Sequence, residues 1–146
     1  MAEPFDAERF LRAQAPVWEA VRAELRAGRQ RSHWMWFVFP QLRGLGRSET
    51  AAFYGLGGLE DAAAYLAQPV LGARLAEAAG LLLAHRGTSA EAILGPVDAL
   101  KLRSSMTLFA AAPEAPEVLG RVLGAFFEGP CERTVAMLAV EPGAGR

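Results

Sequence analysis

The sequence predicts an all-α protein that forms one compact domain of about seven or eight mostly short helices. Apolar residues recur at helical spacing along most of the 146 residues, and only one ambiguous apolar run resembles a strand. Neither a linker nor an internal repeat divides the chain. A chain of this length buries roughly two thirds of its unfolded surface in a single core. We place the helical domain at residues 5–140 and a flexible tail, rich in Gly and Pro, at 141–146.

Capping residues and apolar stripes define the first helices. Asp6 caps a first short helix, and Pro16 suits the start of a second one. The second helix runs to about Arg26 and stops at Gly28. Trp18 lies on its apolar stripe, so we expect that side chain in the core.

The secondary structure of residues 33–41 is harder to predict from the sequence. The run from Trp34 to Phe39 is entirely apolar and lies between turn signals, a pattern that fits a buried strand or a buried helical piece. A strand needs a partner, and Pro40 forces Phe39 into an extended conformation. The sequence therefore predicts a buried and irregular segment here.

Helical periodicity follows a turn-rich stretch with several glycines. A short helix is expected near residues 50–54. A helix is predicted at 60–67, and the next begins at 69 and stops at His85 and Gly87. Ser89 caps a short helix that runs through 94. The last helices are predicted at 100–111, 116–127 and 131–140.

Charge and targeting signals narrow the function classes. Residues 28–48 carry four arginines and no acid, yet the net charge is −1 and the pI is 6.1, so nucleic-acid binding is not expected. The N-terminus lacks a secretory apolar region, and the longest apolar run is far below the ~20 residues of a membrane span. A single cysteine suits a reducing compartment. We predict a cytoplasmic location and no membrane partner.

Residues 98–109 depart from a plain amphipathic helix. Leu102, Met106 and Phe109 share one side. The rest of the circumference is mostly polar and comprises Lys101, Arg103, Ser104, Ser105 and Thr107. Cations early in a helix oppose the helix dipole, so a compensating anion is expected, either Asp98 as the N-cap or a bound phosphate or carboxylate. Lys101 is the one lysine among 15 basic residues, which favours a confined anion site or, equally, an ion pair with Asp98.

The segment at 33–41 offers a second set of candidate site residues. His33 is the candidate proton carrier, since a neighbouring basic stretch favours its neutral form, although a hydrogen-bonded core histidine is the alternative. Trp34 or Trp36 offers a ring for stacking on a base or sugar, with core positions as the alternative. Gln41 supplies a neutral donor and acceptor. No metal site is predicted, because the other histidine, His85, ends a distant helix.

Several catalytic and cofactor motifs are missing from the sequence. It has no Walker loop, no dinucleotide fingerprint, no H-E-x-x-H, no G-x-S-x-G and no C-x-x-C. No cofactor is therefore predicted. Cys131 lies between Pro130 and Glu132 with no obvious base nearby, so we interpret it as an ordinary cysteine at the edge of a loop.

Three motifs in order carry a family resemblance: SHWMWFVFPQ at 32–41, PVLGARL at 69–75 and DALKLRSSMTLF at 98–109. Together they make the chain similar to the bacterial domain of unknown function 1810 family over residues 5–138. The resemblance implies a mainly α-helical single domain without an established activity, and it supplies no catalytic residues. Some members are labelled calpastatin, a label that we do not transfer because that inhibitor is a long disordered repeat protein. Val97 stands where the family pattern suggests a second acid.

Two functions fit these residues. The first is a pocket for a small anionic ligand, nucleotide-derived or phosphorylated, held by Lys101 and Arg103; it is an enzyme if His33 transfers a proton. The alternative is a non-enzymatic interaction module whose Arg- and Trp-rich surface meets an acidic protein partner. Convergence in one concavity favours the pocket, and a flat or convex patch favours the module.

Overall fold

The computed structural model describes residues 5–139, and ten α-helices form in this range. The helices are α1 Glu8–Gln14, α2 Trp18–Ala27, α3 Met35–Val38, α4 Glu49–Tyr54, α5 Leu59–Ala67, α6 Pro69–Leu83, α7 Ala90–Leu94, α8 Pro96–Ala110, α9 Glu117–Phe126 and α10 Glu132–Ala139. An isolated parallel bridge joins Leu42 to Leu56, and no strand forms among the described residues. Val140 and the predicted tail at 141–146 lie outside the described residues.

The all-α fold and the single compact domain are confirmed, but the predicted number of helices is wrong. Ten helices form in place of seven or eight. One reason is α3, whose four residues are all apolar and so carry no helical period in the sequence. Helices this short are fixed by the packing around them, not by their own propensity.

Most of the segment at 33–41 is buried and part of it is irregular, as predicted, but His33 at its start is exposed. Trp34, Met35, Val38 and Phe39 are each 1% exposed. The helical turn α3 packs between α1 and α4. Phe39, before Pro40, leaves the helical region at φ −126° and ψ 71°, but it does not reach the extended conformation predicted for it.

The predicted helix boundaries at Gly28 and Ser89 are confirmed. Gly28 has φ 73° and ends α2 in the left-handed conformation, which a residue without Cβ adopts at little cost. Ser89 accepts a hydrogen bond from the amide of Ala92 and so caps α7. Asp6 accepts one from the amide of Glu8 at 3.1 Å, but Ala7 takes the N-cap position of α1, so the predicted cap lies one residue too early.

The start of α8 differs from the prediction. The helix begins at Pro96 and not at residue 100, since proline suits the first helical position and Gly95, at φ 86°, takes the N-cap position. Asp98 is therefore not the N-cap; it lies within the first turn, and its carboxylate is 3.5 Å from Lys101 Nζ. Lys101 then lies in the second turn, where the helix dipole is weaker.

Helix α8 lies at the centre of the packing, against α5, α7, α9 and α10. Its predicted apolar side is buried, including Leu102 and Phe109 at 0% exposure. Ser104, Ser105 and Thr107 are buried as well, because α10 and the loop before it cover much of the opposite side. The polar residues of α8 are thus held between elements of the fold, and this arrangement positions the site.

No single described helix is both long and apolar enough to cross a membrane. Helices α5 and α6 meet the length and composition of a span only when taken together, and they are bent by 96° at the break between them.

Candidate functional site

A cavity of about 380 Å³ opens beside α8, between the segment at 41–46 and the start of α10. We call it the α8 pocket. Its polar wall consists of Gln41, Lys101, Arg103, Ser104, Cys131 and Arg133. Its apolar wall consists of Leu45, Val97 and Leu100, with Gly46 beside them. The volume lies in the range of small-molecule sites, about 300–1,000 Å³.

The α8 pocket is lined by cations without acids. Lys101, Arg103 and Arg133 contribute three positive charges, and no Asp or Glu among residues 5–139 lines it. Asp98 partly neutralises Lys101 from outside the lining. The side chain of Arg133 is exposed and forms no ion pair within residues 5–139. Such a wall favours an anionic ligand because the low-dielectric surroundings screen its charges less than water does.

Two of the sequence motifs meet at Lys101. Its Nζ lies 4.8 Å from the centroid of the Trp36 ring, a cation–π contact, and both residues line a side cleft of about 10 Å³ together with Gln41. A cleft of this size holds about one water molecule. The structure thus brings Trp36, Gln41 and Lys101 together, although 60 or more positions separate the first two from the third.

Helix α8 also holds the loop that precedes α10. Arg103 Nε donates a hydrogen bond to the carbonyl of Gly129 at 2.8 Å. Thr107 Oγ1 accepts one from the amide of Cys131 at 2.8 Å and donates one to the carbonyl of Arg103 at 2.7 Å. Thr107 therefore positions the backbone of Cys131, and its own hydroxyl has no hydrogen left for a ligand.

The sequence predicts Cys131 to be an ordinary cysteine at the edge of a loop, but the structure places it in the wall of the α8 pocket. Its sulfur lies 3.4 Å from Ser104 Oγ and forms part of the pocket wall. Burial raises the pKa of the thiol, but the donors around the sulfur outweigh burial, so the pKa is lowered. These donors are the Ser104 hydroxyl first, then the nearby Thr134 hydroxyl and the backbone amides of Thr134 and Arg133. The available signal was its position at the start of the predicted last helix, where backbone amides point toward a sulfur.

Five predicted site residues do not line the α8 pocket, and one of them, Trp36, lines the side cleft beside it. His33 is exposed, with its ring 6.5 Å from that of Trp36, and it does not line the cavity. Trp34 lies in the core. Ser105 is fully buried, and its hydroxyl has no hydrogen-bond partner among the described residues. Thr107 contacts the loop instead of the cavity.

Trp34 and its neighbours are held by one carboxylate. Glu24 accepts hydrogen bonds from the amides of Arg31 and Ser32, from the Ser32 hydroxyl, and from Trp34 Nε1 at 2.9 Å. Burial raises the pKa of Glu24, but these four hydrogen bonds outweigh burial and lower the pKa to about 2. This cluster fixes the entry into α3 and hence the position of Trp36.

Within residues 5–139, no three His, Cys, Asp or Glu side chains lie close enough together to hold a metal ion. The chemistry available in the α8 pocket is therefore that of cations, an amide, a hydroxyl and a thiol.

The chain is similar to a solved structure, that of the conserved hypothetical protein Rv1873 from Mycobacterium tuberculosis. The two are 55% identical, the match covers 95% of this chain and 100% of that chain, and the TM-score is 0.92. The family described as protein of unknown function (DUF1810) matches residues 4–138. No curated protein matches the chain. Neither of the two matches is described by an activity, so the role of the α8 pocket has to be argued from its own side chains.

Proposed function

The chain belongs to the DUF1810 family, and we propose that its α8 pocket binds a small organic anion, either nucleotide-derived or phosphorylated. One observation carries this proposal: the polar wall combines Lys101, Arg103 and Arg133 with Gln41, and no carboxylate of the described part of the chain lies in it. Arginine and lysine are the residues that bind phosphate and carboxylate groups most strongly.

The two arginines present their guanidinium groups differently. The Nε of Arg103 is occupied by the Gly129 carbonyl, which fixes the side chain and leaves its terminal nitrogens as donors. Arg133 is exposed and able to adjust to the ligand. A fixed and an adjustable cation on one wall suit an oxyanion with several acceptor atoms.

The apolar wall supports an organic ligand and not a bare inorganic ion. Val97 and Leu100 are 65% and 64% exposed, which is unusual for residues in a helix at the centre of a domain. A sugar, base or acyl group that covers them removes apolar surface from water. The ligand class is thus an anion with an apolar or ring-containing body.

The pocket is better supported than the protein-interaction module. That module needs exposed tryptophan anchors, but Trp34 is 1% exposed and Lys101 lies over the ring of Trp36. The cations also line a concavity and not a flat patch. Proton transfer by His33 is not part of the proposal, because its ring lies outside the pocket lining.

The test is ligand binding measured by thermal unfolding and by calorimetry. The probes are AMP, ribose 5-phosphate and inorganic phosphate, and the variants are Arg133→Gln in the pocket and Arg121→Gln as a matched control. Arg121 pairs with Glu117 on the surface of α9 and does not line the pocket, so its loss removes the same charge elsewhere. A ligand at 100 times its Kd adds about 2.7 kcal/mol, or roughly 5–10 °C in Tm for a domain of this size.

We expect AMP or ribose 5-phosphate to raise the Tm of the wild type and of Arg121→Gln. Arg133→Gln should bind about tenfold more weakly, since a hydrogen bond to a charged group contributes about 1.5–3 kcal/mol. Two results contradict the proposal: no probe shifts the wild type, or both variants lose affinity equally.

A further inference from the structure

The sulfur of Cys131 is both accessible and supplied with hydrogen-bond donors. Cys131 is half-buried and lines the α8 pocket. Its backbone is held by Thr107 at 2.8 Å, so the sulfur has a fixed place in the wall. The chain has one cysteine, so no second thiol of the same molecule pairs with it.

The hydroxyl of Ser104 has two possible hydrogen-bond acceptors, one of which is the sulfur of Cys131. Its hydroxyl lies 3.2 Å from the carbonyl of Leu100 and 3.4 Å from Cys131 Sγ. A hydroxyl has one hydrogen, so it donates to Leu100 when the cysteine is a thiol and turns to the sulfur when a thiolate forms. Ser104 can therefore stabilise the thiolate without any movement of the backbone.

Thr134 provides a second and independent indication. Its side chain is 0% exposed, and its hydroxyl, which lies close enough to the Cys131 sulfur to lower the pKa of the thiol, has no hydrogen-bond partner among the described residues. An unsatisfied buried hydroxyl destabilises the fold, and a negatively charged sulfur is the acceptor that relieves this cost. The amides of Arg133 and Thr134, at the start of α10, add two further donors.

The lining of the α8 pocket restricts the chemistry that such a thiolate performs. The described residues place no carboxyl or imidazole group there to protonate an alkoxide or amine that leaves. A thiolate leaves without that help. The surrounding cations, Arg103 and Arg133, select reactants that carry negative charge.

We propose that Cys131 is a thiol–disulfide exchange site that takes small disulfides bearing carboxylate groups. The Cys131 thiolate attacks one sulfur of the small disulfide; a bond forms between the two sulfurs, and the original S–S bond breaks. The second half leaves as a thiolate and takes up the proton that Cys131 released. The sulfur of Cys131 is oxidised, the leaving sulfur is reduced, and the protein becomes a mixed disulfide until an external thiol reverses the exchange. This inference rests on the proposed anion-binding function of the α8 pocket.

The experiment measures mixed-disulfide formation by intact-protein mass spectrometry with three disulfides of different charge. These are glutathione disulfide, which is anionic, 2-hydroxyethyl disulfide, which is neutral, and cystamine, which is cationic. Each rate is divided by the rate of the same disulfide with a cysteine-containing tripeptide. The full chain is used as wild type, Cys131→Ser, Ser104→Ala, Arg133→Gln and the matched control Arg121→Gln.

We expect the normalised rate with glutathione disulfide to exceed that with cystamine at least tenfold. Arg133→Gln should lower this ratio about tenfold and leave the neutral disulfide unaffected, while Arg121→Gln retains the ratio. Ser104→Ala should slow all three disulfides and shift the pH profile of the rate to higher pH. Cys131→Ser should form no adduct, and dithiothreitol should release the wild-type adduct.

Two outcomes overturn the inference and separate it from the proposed function. If Cys131 reacts no faster than the tripeptide with any disulfide, while wild type and Cys131→Ser bind AMP or ribose 5-phosphate equally, the exchange site is refuted and the anion pocket stands. If the normalised rates are equal for all three charges and no anionic probe binds, both proposals fail.

Discussion

Lys101 Nζ lies 4.8 Å from the centroid of the Trp36 ring, and this contact joins α8 to the segment that contains α3. We predict a coupling free energy of about 0.5–2 kcal/mol between the two side chains, the range of partly buried cation–π pairs. A double-mutant cycle with Trp36→Leu and Lys101→Met, measured by urea unfolding, checks it.

The control cycle combines Trp36→Leu with Arg121→Gln on the surface of α9. These two changes should add to within about 0.5 kcal/mol, because the side chains share no partner. Additivity in the first cycle as well would mean that the contact with Lys101 contributes nothing to the free energy of unfolding.

Thr107→Val removes the acceptor of the Cys131 amide and retains the shape of the side chain. Because the amide is then left without a partner, the free energy of unfolding should fall by about 1–3 kcal/mol. Amide hydrogen exchange at Cys131 should also become faster. Thr88→Val, at an exposed position, should change stability by less than about 0.5 kcal/mol. Equal effects of the two valine variants would argue against a stabilising role for the hydrogen bond between Thr107 and the Cys131 amide.

Glu24 should make the stability of the protein depend on acidity. Its pKa is about 2 in the fold against 4.5 ordinarily, so the ionised carboxylate stabilises the folded state fully above pH 4.5. This contribution is lost as pH falls from 4.5 toward 2. The gap in stability between wild type and Glu24→Gln, measured by urea unfolding from pH 7 down to pH 3, should therefore narrow below pH 4.5.

Glu117→Gln serves as the matched control for this titration. The Glu117 side chain is 89% exposed, so its substitution should leave the pH profile of stability unchanged. A constant gap for Glu24→Gln down to pH 3 would show that the carboxylate is not the group that titrates.

Gln14 forms a buried link between three elements. It is 0% exposed, and its Nε2 donates to the carbonyl of Phe37 at 2.7 Å and to the hydroxyl of Tyr65 at 2.9 Å. Gln14→Leu should cost about 2–4 kcal/mol, because it leaves these two buried groups without a partner. The double variant Gln14→Leu with Tyr65→Phe should be less destabilised than the sum of the two single variants, as measured by urea unfolding. A strictly additive double variant would contradict the link.

Much of the fold could be predicted because local rules determine it. Gly28 stops α2 and Ser89 caps α7 where the sequence places them. Asp98 shows the limit of those rules: an acid three residues before Lys101 suggests an N-cap, but Pro96 and Gly95 begin the helix earlier. Among several competing start signals, the packing of α8 against its neighbours selects one.

The site could be predicted only in part. Lys101 and Gln41 were identified by residue type, and both line the α8 pocket. Trp34 and Trp36 are indistinguishable in an apolar run, and only tertiary packing puts one in the core and the other beside Lys101. Cys131 lies 27 positions from Ser104, a contact made by two helices that periodicity does not relate.

The bridge between Leu42 and Leu56 closes the segment at 43–55, which contains α4, into a loop. The amide of Arg43 donates to the carbonyl of Leu56 at 2.8 Å, the amide of Leu56 donates to the carbonyl of Gln41 at 3.0 Å, and both leucine side chains are buried. The ends of the segment are thus anchored in the core, while Leu45 and Gly46, near its start, line the α8 pocket. Because lengthening a closed loop costs little conformational entropy, this segment is where the lineage can diversify ligand choice, and where a designer can graft new specificity, without disturbing the helices that support it.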